Sequence, residues 1–321
     1  MATFLVNSKM NPALAARIEA SVTGEKPSAT GRMSPSVVRR LVAWGRFAIV
    51  AVLIVGVYAA VTTYRRIRNE IDQNRAELIS KVNAAQADVT AKDRGALDRM
   101  TKHVTHLAGP YEGDVAATTL DADLTRPAVY IRGSIDMLRT NEALAGTAAV
   151  SGKDALLLCL MDPPASRSES AVIDKVRFVH AAGAPFEERT SNVRRMNDAI
   201  VGLPFLMPEL AARAKDIDDV SEVTRMKKDL ERVPLDRTKR ALRAEVLIVA
   251  LDEKGTGSEP TELDGERPHD IRVAILELES GRVILRARRH VDPSWIAVSK
   301  RPVYSSGADS CALGYDLRKG K

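Results

Sequence analysis

Between Phe47 and Tyr64 the chain runs for 18 residues without a charge, FAIVAVLIVGVYAAVTTY. As a helix rising about 1.5 Å per residue it would span roughly 27 Å, close to the hydrocarbon thickness of a bilayer. A helix that is apolar on every side has no solvent face, so lipid or a large core must cover it. The flanks favour lipid. Arg39 and Arg40 stand before the run and Arg65, Arg66 and Arg68 after it, with Trp44 and Tyr64 near the two ends, where interfacial aromatics sit. The apolar stretch begins at Leu41 and is interrupted only by Arg46, close enough to the end to snorkel. The expectation is one transmembrane helix over 41–64, with Trp44, Arg46, Tyr64, Arg65 and Arg66 at the membrane interface and the lipid bilayer as a partner. A cleaved signal peptide fits less well. The run is too long, lies far from Met1 and is followed by no small-residue cleavage site.

Charge points to the same division. The formal net charge is +6 over 321 residues, but residues 1–46 hold seven basic and two acidic side chains, whereas the remaining 275 hold 41 and 40. The large part of the chain therefore has no basic surplus for phosphates, and aromatics at 4% leave little for base stacking, so nucleic acid is not an expected partner. Local positive charge does not set the orientation, with four basic residues in 27–46 and five in 65–84. The short tail and the bulk of the chain after the first apolar segment favour a signal-anchor arrangement, N-terminus in. Arginine outnumbers lysine 33 to 15 and alanine is abundant, which suggests a bacterial chain. The expected location is thus a bacterial inner membrane, crossed once, with the C-terminal domain periplasmic.

The rest divides by pattern. Residues 1–40 read as a mostly disordered tail; a short helix from Pro12 to Gly24, capped by Asn11, fits the pattern there, but a nascent, mostly unfolded segment fits it better. Residues 65–108 read as a helical stalk. Ile67, Ile71, Asn74, Leu78, Lys81 and Ala85 step by fours and threes, as do Leu78, Val82, Ala85 and Val89, a seam imperfect at Asn74 and Lys81. Such a short seam fits either self-association through the stalk or docking on the chain's own domain. From 110 to 321 the alternation of elements predicts an α/β (α+β) soluble domain with a mixed, roughly five-stranded sheet. The strands are expected at 127–133, 154–161, 243–251, 271–279 and 282–291, the last two joined by a Ser280-Gly281 turn. A helix is expected from Ser134 to Gly146, and others over 168–182, 187–202, 207–215 and 220–232.

Chemistry-bearing motifs are sparse. GTAAVSGKD, Gly146 to Asp154, has the wrong spacing for a phosphate loop and an aspartate where Ser or Thr should hold magnesium. His103 and His106 share a helical face but lack further ligands nearby, and Asp121 with Asp123, or Asp216, Asp218, Asp219 and Glu222, read as helix caps. No catalytic, cofactor or metal site is expected. Two places stand out. Asp162, Ser166, Arg167 and Ser168 lie between an expected buried strand and a helix, where open α/β sheets bind ligands; a capped loop stiffened by Pro163 and Pro164 is the plain alternative. Cys159 and Cys311 can form a disulfide if the last helical segment packs on the strand carrying Cys159, given an oxidising compartment.

These features together suggest a single-pass, membrane-anchored, non-catalytic envelope protein whose C-terminal domain binds a protein partner or scaffolds an assembly. The alternatives are a ligand sensor or enzyme using the 162–168 crevice, and a tethered adaptor facing the cytoplasm.

Overall fold

The computed structural model describes residues 35–151, 155–181, 190, 192–253, 268–297 and 301–319. The tail helix expected at 12–24 and the acidic loop around 254–267 lie outside them. The chain divides into two compact units, Met1–Arg66 and Ile67–Lys321. Helix α1 (Pro35–Gln86) is 52 residues long. Within the first unit its residues 47–64 are exposed throughout, and Phe47, Leu53 and Ile54 keep 76%, 62% and 64% of their surface. So large a bare apolar surface does not suit water. Among the described residues this is the one helix long and apolar enough to cross a membrane.

In the second unit α1 finishes as an amphipathic helix, and its seam is occupied. Leu78 and Val82 are fully buried against Ala214, Val223, Met226 and Leu230. Charges line the sides of this contact, with Lys81 2.8 Å from Glu231 and Lys227 paired to Glu77. The spacing by threes and fours thus serves docking on the chain's own helices. Gln86 ends the helix by donating to the Met207 carbonyl at 2.8 Å. Thr90 then opens α2 (Ala91–Arg94) through a reciprocal cap with Asp93, and α3 (Ala96–Leu107) follows.

The remaining elements are β1 (Val115–Ala116), α4 (Leu120–Asp123), β2 (Ala128–Ser134), α5 (Ile135–Leu138), α6 (Asn141–Val150), α7 (Leu156–Met161) and α8 (Glu169–Ala181). After these come β3 (Val193–Arg195), α9 (Met196–Leu206), α10 (Pro208–Asp216), α11 (Val220–Arg232) and α12 (Leu235–Leu242). Then follow β4 (Val246–Asp252), β5 (His269–Glu277), β6 (Val283–Val291), a 3-10 turn (Pro293–Trp295) and α13 (Arg301–Lys319). The six strands form one open mixed sheet in the order β1-β6-β5-β4-β2-β3. Strand β2 runs parallel to β3 and β4, while β4, β5 and β6 make an antiparallel meander.

Helices cover both faces, and the strand period of two divides the core between them. Val129, Ile131, Leu247 and Val249 face Met100 and Val104 of α3, Ala199 of α9 and Ala241 of α12. Their neighbours Tyr130, Val246, Ile248, Ile271 and Val273 face Leu156, Leu157 and Leu160 of α7 and Leu313 and Leu317 of α13. The edges are blunted. Strands β1 and β3 have only two and three residues. Where β2 outruns β3 the Arg132 N–H donates to Ser151 Oγ at 2.7 Å, and where β6 outruns β1 the Arg288 N–H donates to Asp114 Oδ1 at 3.2 Å.

Several expectations need correction. The run 154–161 forms no strand, because Leu156–Met161 is helix α7. A continuous apolar run fits a helix pressed between two packed layers as well as a strand buried on both faces. Here Leu156, Leu157 and Leu160 meet the sheet while Cys159 turns towards Val172 and Val176 of α8. The sheet has six strands because β1 and β3, too short to show alternation, complete its edges; β3 (Val193–Arg195) lies inside the helix expected over 187–202, where the helix begins only at Met196. The helix expected over 134–146 is two helices, broken before Thr140, whose side chain caps α6. The hairpin turn spans 278–282, wider than Ser280-Gly281 alone, with Gly281 at φ +71° donating its N–H to the Glu277 carbonyl.

Candidate functional site

Charged side chains at the ends of three strands converge on the face covered by α13. Arg132 follows Ala128 and Tyr130 on one side of β2, Asp252 follows Ile248 and Ala250 on β4, and His269 precedes Ile271 and Val273 on β5. In β2 and β4 the charges sit at the carboxyl ends of neighbouring parallel strands; in antiparallel β5 the equivalent place is its start. All three are buried, at 4%, 1% and 4% exposure. Arg132 grips Asp252 with both arms, Nε to Oδ2 at 3.0 Å and Nη2 to Oδ1 at 2.9 Å, and its Nη1 donates to Ser310 Oγ of α13 at 3.1 Å. His269 Nε2 lies 3.5 Å from Asp252 Oδ1. Burial would raise the Asp252 carboxyl, but the Arg132 charge and then the His269 hydrogen bond outweigh it and hold it at about 2. Such a pair adds little net stability over an apolar substitute, yet it fixes which groups must meet.

Asp309 stands beside this cluster in the first half of α13. It is 4% exposed, and both carboxyl oxygens are enclosed without a hydrogen bond of good geometry. Burial pushes its pKa up to about 7, opposed first by the Trp295 indole and then by the charge of His269.

Two residues further on, Cys311 meets Cys159 of α7. The structure joins them as a disulfide, with Cα atoms 4.9 Å apart. The cysteine read from the sequence as a strand residue is therefore a helix residue, and the bond links two helices. Arg318 of α13 donates from Nη1 to the Leu160 carbonyl at 2.8 Å, satisfying the last turn of α7, and its Nε lies 2.9 Å from Asp121.

The 162–168 segment leads out of α7, so it follows a helix and borders no strand end. Its polar side chains have partners within the chain. Asp162 pairs with Lys175, Ser166 and Ser168 share a hydrogen bond at 2.9 Å, and Arg167 holds Asp316 at 3.0 Å while stacking over Trp295 at 5.3 Å. The arrangement stiffens the approach of α8 and α13.

Other sequence candidates have structural partners too. His103 Nε2 contacts the Leu278 carbonyl at 3.2 Å, and exposed His106 lies 3.6 Å from Glu112. Asp219 caps α11 through the Ser221 N–H, and Asp218 pairs with Arg75. Among the described residues no three His, Cys, Asp or Glu side chains converge as a metal-ligand set. At the opposite end of the sheet, a cleft of about 390 Å³ runs between α2, α3 and the starts of β4 and the hairpin. Its charges are paired across it. Arg126 bonds Asp123, Glu245 and Glu277, and Lys92 bonds Glu279. Ser280 and then Arg126 hold Glu277 at about 2.

Trp44 and Tyr64 are exposed on α1, as are Arg65 and Arg66; Arg46 lies on the same helix with its side chain outside the described set. No protein-family model matches the chain, and neither a curated protein nor a solved structure matches it. The buried cluster of Arg132, Asp252, His269, Asp309 and Ser310 escaped the sequence reading, although a signal was present. Two apolar runs, AVYIR and VLIVALD, end in a charge on the inward register of the strand.

Proposed function

We propose that this chain is a single-pass protein of the bacterial inner membrane, anchored by the 41–64 segment, whose periplasmic domain binds a protein partner or scaffolds an assembly without catalysing a reaction. One observation carries the reading: an 18-residue uncharged segment stands bare of protein on all sides, between arginines and interfacial aromatics. The join between Cys159 and Cys311 supports the periplasmic side, since such bonds persist where thiols are oxidised. The mutual engagement of the 162–168 side chains favours a scaffold over a ligand sensor at that loop.

Paired reporters at residue 321 test the reading. Alkaline phosphatase fused there is expected to be active and green fluorescent protein dark. The reverse pattern would place the domain in the cytoplasm and support the tethered-adaptor alternative.

A further inference from the structure

Asp309 has no task in the reading above, and its surroundings are unusual for a carboxyl. It lies on the helix that closes one face of the sheet, with neither enclosed oxygen satisfied. The groups that act on its charge are the Trp295 indole and Asp292 from the 3-10 turn region, His269 from β5 and Arg167 from the loop before α8. Arg132 of β2 donates to the adjoining Ser310 and is otherwise engaged by Asp252 of β4. Beside α13, Ala155, Cys159 of α7, and Val172 and Val176 of α8 are apolar; on α8, Lys175 is paired with Asp162 and Arg177 lies 3.6 Å from Asp174. On β6, Arg286 and Arg288 are committed to Glu112 and Glu253.

We propose that α13 is a proton-dependent clasp: acidification tightens its hold on the sheet, neutral and alkaline conditions loosen it, and Asp309 is the group that binds the proton. An ionised carboxylate in so dry a place loses more by giving up its water than it regains from the Trp295 indole and the His269 charge, so the docked helix favours the neutral acid. A released helix would expose the same carboxyl with ordinary acidity, near 3.8. The docked state therefore binds one more proton than the released state between about 4 and about 7. By linkage, the opening constant rises about tenfold per pH unit across that window and levels off above it. Cys311, two residues away, restricts opening to a local movement while the disulfide holds; reduction lets the full response appear.

The test is hydrogen exchange at the amides of 307–319 in the full-length protein in detergent from pH 4.5 to 8, corrected for intrinsic rates. Unmodified protein and Asp309→Asn are compared, oxidised and reduced. The expected result is a roughly tenfold rise in opening per pH unit up to about pH 7 in the reduced unmodified protein, damped when oxidised and flat in Asp309→Asn. An equal slope in Asp309→Asn overturns the proposal, as does a slope that persists there and disappears in His269→Gln. Carboxyl carbon NMR of the unmodified protein gives a check that does not depend on the variant folding: an Asp309 resonance titrating near 4 also overturns it.

Discussion

Gly314 rests on the backbone of Cys159: a methyl group on its α-carbon would lie 2.8 Å from the Cys159 carbonyl carbon and 2.9 Å from both its oxygen and the Leu160 nitrogen. Backbone atoms cannot swing aside as a side-chain tip can, so α7 and α13 would have to separate. Gly314→Ala is therefore expected to cost about 1–3 kcal/mol, seen as a lower Tm. Gly146 supplies the control. It sits exposed inside α6 with nothing within 4 Å of the same position, so Gly146→Ala should be stabilising by about 0.5–1 kcal/mol. Equal effects at the two sites would contradict the close helix contact.

The cysteine pair yields a chemical prediction. Protein taken from its native compartment, denatured and alkylated without reductant, should gain no label on Cys159 or Cys311 by intact mass. Cys311→Ser should then lower stability by about 2–4 kcal/mol under oxidising conditions and much less under reducing ones. Two labels on the unreduced protein would show free thiols and would weaken the periplasmic assignment.

Removing half of the buried ion pair should be far worse than removing both halves. Arg132→Met leaves the buried Asp252 carboxylate with only His269 beside it, which is expected to cost about 3–5 kcal/mol, whereas Arg132→Met with Asp252→Leu should recover most of the loss. The pH dependence has a definite sign. The Asp252 acidity is held at about 2 in the fold against 3.8 ordinarily, so its contribution is present above pH 4 and is lost as pH falls towards 2. Denaturant midpoints measured between pH 2 and 5 should fall on the acid side in the unmodified protein and fall less steeply in the double variant, where Asp252 no longer contributes.

The anchor is tested by charge. Replacing Leu53 and Ile54 with arginine, at about 2.5–3.5 kcal/mol each near the bilayer centre, should release the protein to carbonate extraction. A double variant that still resists extraction would show that this segment is not what holds the protein to the membrane.

What was legible in the sequence followed how unambiguous each period is. The 18-residue apolar run, the amphipathic end of α1 and the alternating β5–β6 hairpin each admit few structures, and the fold contains all three. The run from Ala155 to Met161 misled because an unbroken series of apolar residues carries no period. Only the partners of Leu157 and Cys159, on opposite sides, reveal a helix. Strands β1 and β3 were too short to announce themselves and depend on pairing already made by β6 and β2. The buried cluster required knowing that β2, β4 and β5 lie side by side. Arg132, Asp252 and His269 are separated by 120 and 17 positions in the chain and become neighbours only through sheet order.

The blunted sheet edges bear on how this domain can meet other molecules. A long open strand invites a second copy, or any extended peptide, to add itself through main-chain hydrogen bonds. Here Ser151 occupies the β2 edge and Asp114 the β6 edge, and the strands outside them span two or three residues. Recognition by strand addition is closed at both ends, so a partner must read helices, loops and side chains. Copies confined at high density to one membrane surface would gain a second benefit from the same two side chains, because neighbouring domains could collide edge to edge without polymerising.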